Sequence, residues 1–182
     1  TRLLDGGPER TAQRRELMAV VKEDRFLAHR DDAHRDRVTR YQRAISKARR
    51  MQELKTELGL EDDPQGYLYL KMCVADDDPT TLHELMFVPN IEALCTEEQK
   101  SYWLPRCRNW QVIGCYAQTE IAHGSNVRAL QTTATYLPGE QQFEIHTPTI
   151  EATKFWPGTL GRTANTAMVI ARLVTPDGVD RG

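Results

Sequence analysis

The spacing of apolar residues changes near Trp110, and that change limits the folds open to this 182-residue chain. Before Trp110 the apolar residues recur every three or four positions, the period of one face of an α-helix. Val38, Tyr41, Ile45, Ala48, Met51, Leu54 and Leu58 form the stronger stripe, and Gly59 stands where a left-handed cap would close it. Leu17, Val20, Val21 and, less regularly, Met18 form another behind Pro8, whose missing N–H suits a first helical turn. Asp76-Asp77-Asp78-Pro79-Thr80 punctuates the chain and offers N-caps to residues 82–88. Pro89 breaks or kinks the helical segment at that point. Thr96-Glu97-Glu98-Gln99 is a capping-box pattern, and Pro105 is expected to end the short helix it opens.

After Trp110 the period falls to two. Val112-Ile113-Gly114-Cys115-Tyr116 reads as a strand, and so does the β-branched and aromatic run Thr133, Thr135, Tyr136. Pro138-Gly139 turns the chain, after which Phe143 and Ile145 alternate with Glu144 and His146. The run from Ala167 to Val174 is apolar enough for a buried strand, and Pro176-Asp177-Gly178 turns once more. Helices first and strands second predict an α+β arrangement: a helical domain over 1–110 and a β-rich domain over 111–182.

The formal net charge of −2 supplies no global basic field, which argues against a nucleic-acid partner. The basic pairs Arg14-Arg15 and Arg49-Arg50 lie on helical segments that also carry acids, as solvated faces do. No apolar run approaches the roughly 20 residues of a membrane-spanning helix. Cys73, Cys95, Cys107 and Cys115 are widely spaced and form no C-x-x-C pair, so zinc and disulfide frameworks are poorly supported. Reduced thiols in an intracellular compartment are expected, one or two of them buried as small apolar groups. The opening Thr1-Arg2-Leu3-Leu4-Asp5 has neither an initiator Met nor a signal-peptide pattern and reads as the start of a fragment.

Three constellations carry possible chemistry. Cys115-Tyr116-Ala117-Gln118-Thr119-Glu120 and the loop Ile121-Ala122-His123-Gly124-Ser125-Asn126 set hydroxyl, amide and small residues just past a strand end. Backbone there can approach a phosphate-bearing or heteroaromatic ligand closely, although most such loops are only turns. Lys154-Phe155-Trp156-Pro157-Gly158-Thr159-Leu160-Gly161-Arg162-Thr163 pairs two aromatics with a rigid bend. It suits a planar ring system, and a hydrophobic plug on a β-turn fits the spacing equally well. His123 and His146 have no metal-ligand spacing, and no nucleophile elbow, P-loop or dinucleotide-binding glycine motif is present.

Together these stretches resemble the acyl-CoA oxidases, the peroxisomal relatives of the acyl-CoA dehydrogenases. The resemblance runs through Cys115 to Glu120, His123-Gly124, Thr132-Thr133-Ala134-Thr135-Tyr136, Pro148-Thr149, Lys154 to Gly158 and Gly161-Arg162-Thr163-Ala164-Asn165. Leu3-Leu4-Asp5-Gly6 and the Arg-rich helix behind it match the family's opening, so the resemblance spans nearly the whole chain. It implies a helical N-terminal domain, the start of a β-barrel-like middle domain and an absent C-terminal helical domain. It implies FAD as cofactor, with Thr119 bonding the flavin ring, Gly158 meeting it near the reactive nitrogen, Trp156 flanking it and Gln118 beside the same contact. Ser125 is a further candidate for a phosphate or ligand-chain contact.

The reaction so implied removes an α-proton and a β-hydride from a fatty acyl-CoA and passes the electrons to molecular oxygen, yielding trans-2-enoyl-CoA and hydrogen peroxide. No acid in this stretch is assigned as the base, Glu120 included; the base is expected beyond Gly182, so this stretch alone is expected to be inactive. A peroxisomal location and a full-length homodimer are also implied. Ala122 and Thr159 depart from the family's usual glycines, which puts the local loop geometry in question. Ser125-Asn126-Val127 leans toward the Gly-Ser-Asp-Val pattern of the dehydrogenases, which use a carrier protein as acceptor, whereas Trp156-Pro157-Gly158 leans toward the oxidases. A truncated, non-catalytic flavin-fold protein is the third reading.

Overall fold

The computed structural model describes residues 2–182; Thr1 lies outside them. The chain folds into two compact units, the first ending at Thr80 and the second running from Thr81 to Gly182. The first unit is helical: α1 Pro8–Glu23, α2 Arg37–Glu57 and α3 Pro64–Val74. Pro8 does open α1, and Leu17 and Val21 of the expected stripe are buried. In α2 the middle of the stripe, Ala48, Met51 and Leu54, is buried while its ends Val38 and Leu58 are exposed. Gly59 takes a φ of +64° just past α2. There Gly59 N donates to Thr56 O at 3.1 Å and Leu60 N to Lys55 O at 2.8 Å, the paired bonds of a Schellman cap.

Helix α3 is not among the expected elements, yet its signals are ordinary ones. Asp63 caps it by accepting from Gly66 N at 3.0 Å, Pro64 follows at the first position, and Tyr69, Leu70 and Val74 are buried. Lys47 is a further surprise: it sits on the buried side of α2, only 2% exposed, with its ammonium between the carboxylates of Asp32 and Asp76.

The second unit begins with a helical stretch that contains a π-helical turn, His83–Phe87, followed by α4 Val88–Leu94. Pro89 cannot donate and crowds the carbonyl four residues back; the widened turn just before it accommodates both. Thr96 and Gln99 complete the capping box of α5, Glu97–Arg108, with reciprocal bonds of 3.3 and 2.9 Å. Pro105 does not end this helix but lies inside it. Ser101, the residue whose carbonyl loses its helical partner, is exposed to solvent, where that loss costs little.

Five strands complete the unit: β1 Gly114–Ala117, β2 Thr133–Leu137, β3 Gln142–His146, β4 Thr166–Val169 and β5 Arg172–Val174. They form two open sheets, a parallel pair β1–β4 and a three-stranded sheet ordered β3–β2–β5. The expected buried strand over 167–174 is therefore two short strands in different sheets, with Val169 and Leu173 each 37% exposed. Ile170 N makes the last bond to the first sheet, at Ala117 O (3.1 Å), and Arg172 N the first to the second, at Thr132 O (2.9 Å). The chain changes sheets where β1 has ended and the Thr132 carbonyl, just before β2, accepts the next amide.

Phe87, Ile91, Cys107 and Val112 form the buried centre against which Trp103, Leu104 and Met168 pack. His83 joins its parts: Nδ1 accepts from Gly114 N at 3.0 Å, and the other ring nitrogen donates to the Cys107 carbonyl. The ring is neutral in this arrangement, and burial pushes its pKa below the usual 6.5. An unfolded chain takes up this proton from about pH 6.5 downward while the folded chain resists it, so the contribution is intact above that pH and fades below it. Urea midpoints at pH 7.5 and 5.5, read by tryptophan fluorescence, are expected to fall with acid in the wild type. In His83→Gln the part of that fall due to this ring is expected to be gone; an unaltered pH dependence would contradict the assignment.

Candidate functional site

Strand β1 places Gln118 and Thr119 just beyond its C-terminal end. Gln118 is held twice: its Oε1 accepts from the Tyr116 hydroxyl at 2.8 Å, and its carbonyl accepts from Lys154 Nζ at 2.9 Å. The Thr119 carbonyl accepts from Phe155 N at 2.9 Å, which ties this strand end to the aromatic segment. The Thr119 side chain lies beside Gly124, where an added Cβ would meet its Cγ2 at 3.5 Å. Ser125 stands one residue farther on, exposed on the loop.

Beneath the turn sits Glu120, 1% exposed. Its carboxylate accepts from Gln131 N (2.9 Å), Thr132 N (2.9 Å), the Thr132 hydroxyl (2.7 Å) and Lys154 Nζ (3.2 Å). Burial pushes this carboxyl up, but the Thr132 and Gln131 amides, the Thr132 hydroxyl and Lys154 outweigh it and hold the group at about 2. A carboxylate so saturated and so acidic is a poor proton acceptor. Its role is to pin the turn.

The aromatic segment is strained. Phe155 and Trp156 stack with ring centroids 5.9 Å apart and planes 22° apart, and Trp156 is 76% exposed. Trp156 has a φ of +50° although it precedes a proline, and Thr159 has a φ of +67° although it is β-branched. Such residues each cost about 1–3 kcal/mol and persist where the surroundings impose them. The departure at Thr159 thus places a side chain where glycine is preferred; its hydroxyl bonds the Gly158 carbonyl at 2.6 Å. Ala122 takes no positive φ, so its Cβ is tolerated. Gly158 serves by close approach: a Cβ there would lie 2.5 Å from Leu82 Cδ1.

A groove of about 690 Å³ runs beside Gln118, lined also by Arg128, Leu130, Ile170 and Arg172. The two ring nitrogens of His123 are buried without a hydrogen-bond partner, Nε2 lying 3.9 Å from Glu120 Oε2. Among the described residues no three His, Cys, Asp or Glu side chains converge as a metal site, and no helix is long and apolar enough to cross a membrane. All four cysteines are free, and Cys107 and Cys115 are buried. The structure thus joins Gln118 and Thr119 to the segment leading into Trp156 and Gly158. The buried Glu120–Lys154 pair is what the spacing did not foretell; a lysine directly before an aromatic Pro-Gly bend is the only local hint of it.

The chain is thus a mixed helical and β protein in which a strand-end Thr turn is tied to an exposed Trp-Pro-Gly bend. Residues 1–113 match the family model described as acyl-coenzyme A oxidase N-terminal. The chain belongs to the acyl-CoA oxidase family. It is 39% identical over 176 residues to human peroxisomal acyl-coenzyme A oxidase 1, covering 96% of this chain and 27% of that protein. Among solved structures, Arabidopsis thaliana acyl-CoA oxidase 1 superposes with a TM-score of 0.89 at 36% identity, over 99% of this chain and 27% of that one. Caenorhabditis elegans acyl-CoA oxidase-2, bound with FAD, ascaroside-CoA and ATP, gives 0.88 at 34% identity, over 98% and 27%. The chain therefore spans about a quarter of the length of these relatives.

Proposed function

We propose that this chain is the front portion of an FAD-dependent acyl-CoA oxidase that converts a fatty acyl-CoA and oxygen to trans-2-enoyl-CoA and hydrogen peroxide in the peroxisome. The single observation that carries this reading is the strained, solvent-facing Trp156–Thr159 turn, hydrogen-bonded through Phe155 to the strand end bearing Thr119. A flat aromatic face kept exposed at a cost in backbone strain suits a planar ligand that covers it. The flavin, when bound, supplies the hydride acceptor and the route of electrons to oxygen.

The residues of this chain position that ring. Thr119 offers it a hydroxyl and Gly158 a backbone amide, Trp156 flanks it, and Gln118 borders the same contact. Ser125, on the exposed loop, is the candidate for a phosphate or ligand-chain contact. Glu120 is excluded as the base by its saturation, so proton abstraction falls to a carboxylate outside this stretch, and a homodimer is the proposed assembly. The FAD and ascaroside-CoA named with the C. elegans relative support FAD as cofactor and a CoA conjugate as substrate here.

The full-length protein, supplied with FAD and a palmitoyl-CoA series in air, is expected to release hydrogen peroxide stoichiometric with enoyl-CoA. Trp156→Ala is expected to lower that rate about 10–100-fold by loosening the ring's placement. Enoyl-CoA formation only with an added electron carrier, and no peroxide, would replace the oxidase with a dehydrogenase. Absence of both products and of flavin would leave a non-catalytic protein of this fold.

A further inference from the structure

We propose that Lys154 is a positioning residue that fixes the strand end carrying Thr119 and the turn carrying Trp156 and Gly158 to one frame, and so sets the flavin's seat. This rests on the reading that those residues face a flavin. An ammonium has three protons to donate. Here it has three acceptors: Ile170 O at 2.7 Å, Gln118 O at 2.9 Å and Glu120 Oε1 at 3.2 Å. Each acceptor belongs to a different piece of the site. Gln118 precedes Thr119 at the end of β1, Ile170 follows the last residue of β4, and Glu120 anchors the turn to Gln131 and Thr132.

Lys154 itself is the residue before Phe155, whose amide bonds the Thr119 carbonyl, and its backbone bridges Glu120. One side chain, 12% exposed, therefore closes a ring of contacts around the strand end. Because Glu120 balances its charge at close range, the pair presents no net charge to a ligand, and its influence is through geometry. Arginine cannot replace it: a planar guanidinium does not reach three acceptors spread about a point.

A purely stabilising ion pair would have other consequences, and the test separates the two. The double variant Glu120→Gln/Lys154→Met of the full-length protein removes the pair without leaving a buried lone charge. Glu120→Gln/Lys154→Gln, which retains two donors at position 154 and likewise leaves no lone charge, is the second variant should the first not yield soluble protein. The readouts are FAD titration of apoprotein, the shape of the flavin absorbance bands, and hydrogen exchange at the Phe155 amide.

The expected result is a flavin Kd raised about tenfold, by analogy with the loss of outer contacts that orient a bound group, with altered band shape and faster Phe155 exchange. An unchanged flavin Kd, spectrum and Phe155 exchange in the folded variant would overturn the inference and leave the flavin reading standing. If the wild-type full-length protein takes up no flavin, the reading beneath it falls instead. Arginine at 154 restoring the wild-type spectrum would also count against it.

Discussion

Glu120→Ala is expected to destabilise the second unit by about 3–5 kcal/mol, because it leaves the Lys154 ammonium in the interior without its countercharge and unpairs the Gln131 and Thr132 amides. Glu120→Gln is expected to cost less at neutral pH and to change the acid response. In the folded chain the carboxyl is held at about 2, against an ordinary value of 4.5. As acid is added the unfolded chain takes up this proton first, so the contribution is complete above about pH 4.5 and is lost as pH falls toward 2. A difference of that size corresponds to about 3 kcal/mol. All three tryptophans, Trp103, Trp110 and Trp156, lie in the second unit, so fluorescence-detected denaturation reports on it. Between pH 5 and 2.5 the wild type should lose stability more steeply than Glu120→Gln; parallel slopes would mean that the pinned carboxylate contributes nothing.

What the sequence made legible was mostly local. The Thr96–Gln99 box and the Gly59 cap are set by residues a few positions apart, and their bonds are present at 2.9 and 3.3 Å and at 2.8 and 3.1 Å. The turns at Pro138-Gly139 and at Gly178, with a φ of +76°, follow from the same local chemistry. The failures involve partners distant in the chain or solvent. Pro105 stays helical where the residue whose carbonyl it deprives, Ser101, faces solvent, which no spacing rule records. The run 167–174 divides because Ala117 and Thr132 offer successive carbonyls in two different sheets.

Nothing in the local spacing marks Lys47 for burial, which its Asp32 and Asp76 partners and the His29 carbonyl make tolerable. Lys154 and Glu120 are 34 residues apart and meet only once the strand end and the aromatic segment have come together. The flavin roles of Thr119, Gln118, Trp156, Gly158 and Ser125 came from family resemblance and remain proposals. The structure contributes the backbone strain and the exposure of Trp156.

Gly114→Ala is expected to be as damaging as any single methyl added to this chain. Gly114 opens β1, and a Cβ there would fall within the Phe87 ring. Phe87 is 2% exposed and packed among Ile91, Cys107 and Val112, so it has no vacant rotamer to occupy. Nor can the strand retreat. Its register pairs Gly114 with Thr166, and its amide donates to the buried His83 ring at 3.0 Å, so withdrawal would leave that nitrogen unpaired. Overpacking of this kind costs about 1–3 kcal/mol, and with a buried hydrogen bond disturbed the upper end applies. Phe87→Leu alone removes buried surface and should also destabilise. Combined with Gly114→Ala it vacates the space the new methyl needs. The double variant is therefore expected to be more stable than the sum of the single losses predicts, a coupling that urea denaturation of all four proteins measures. Strict additivity would place the cost of the methyl in the backbone of β1 rather than in the ring it meets.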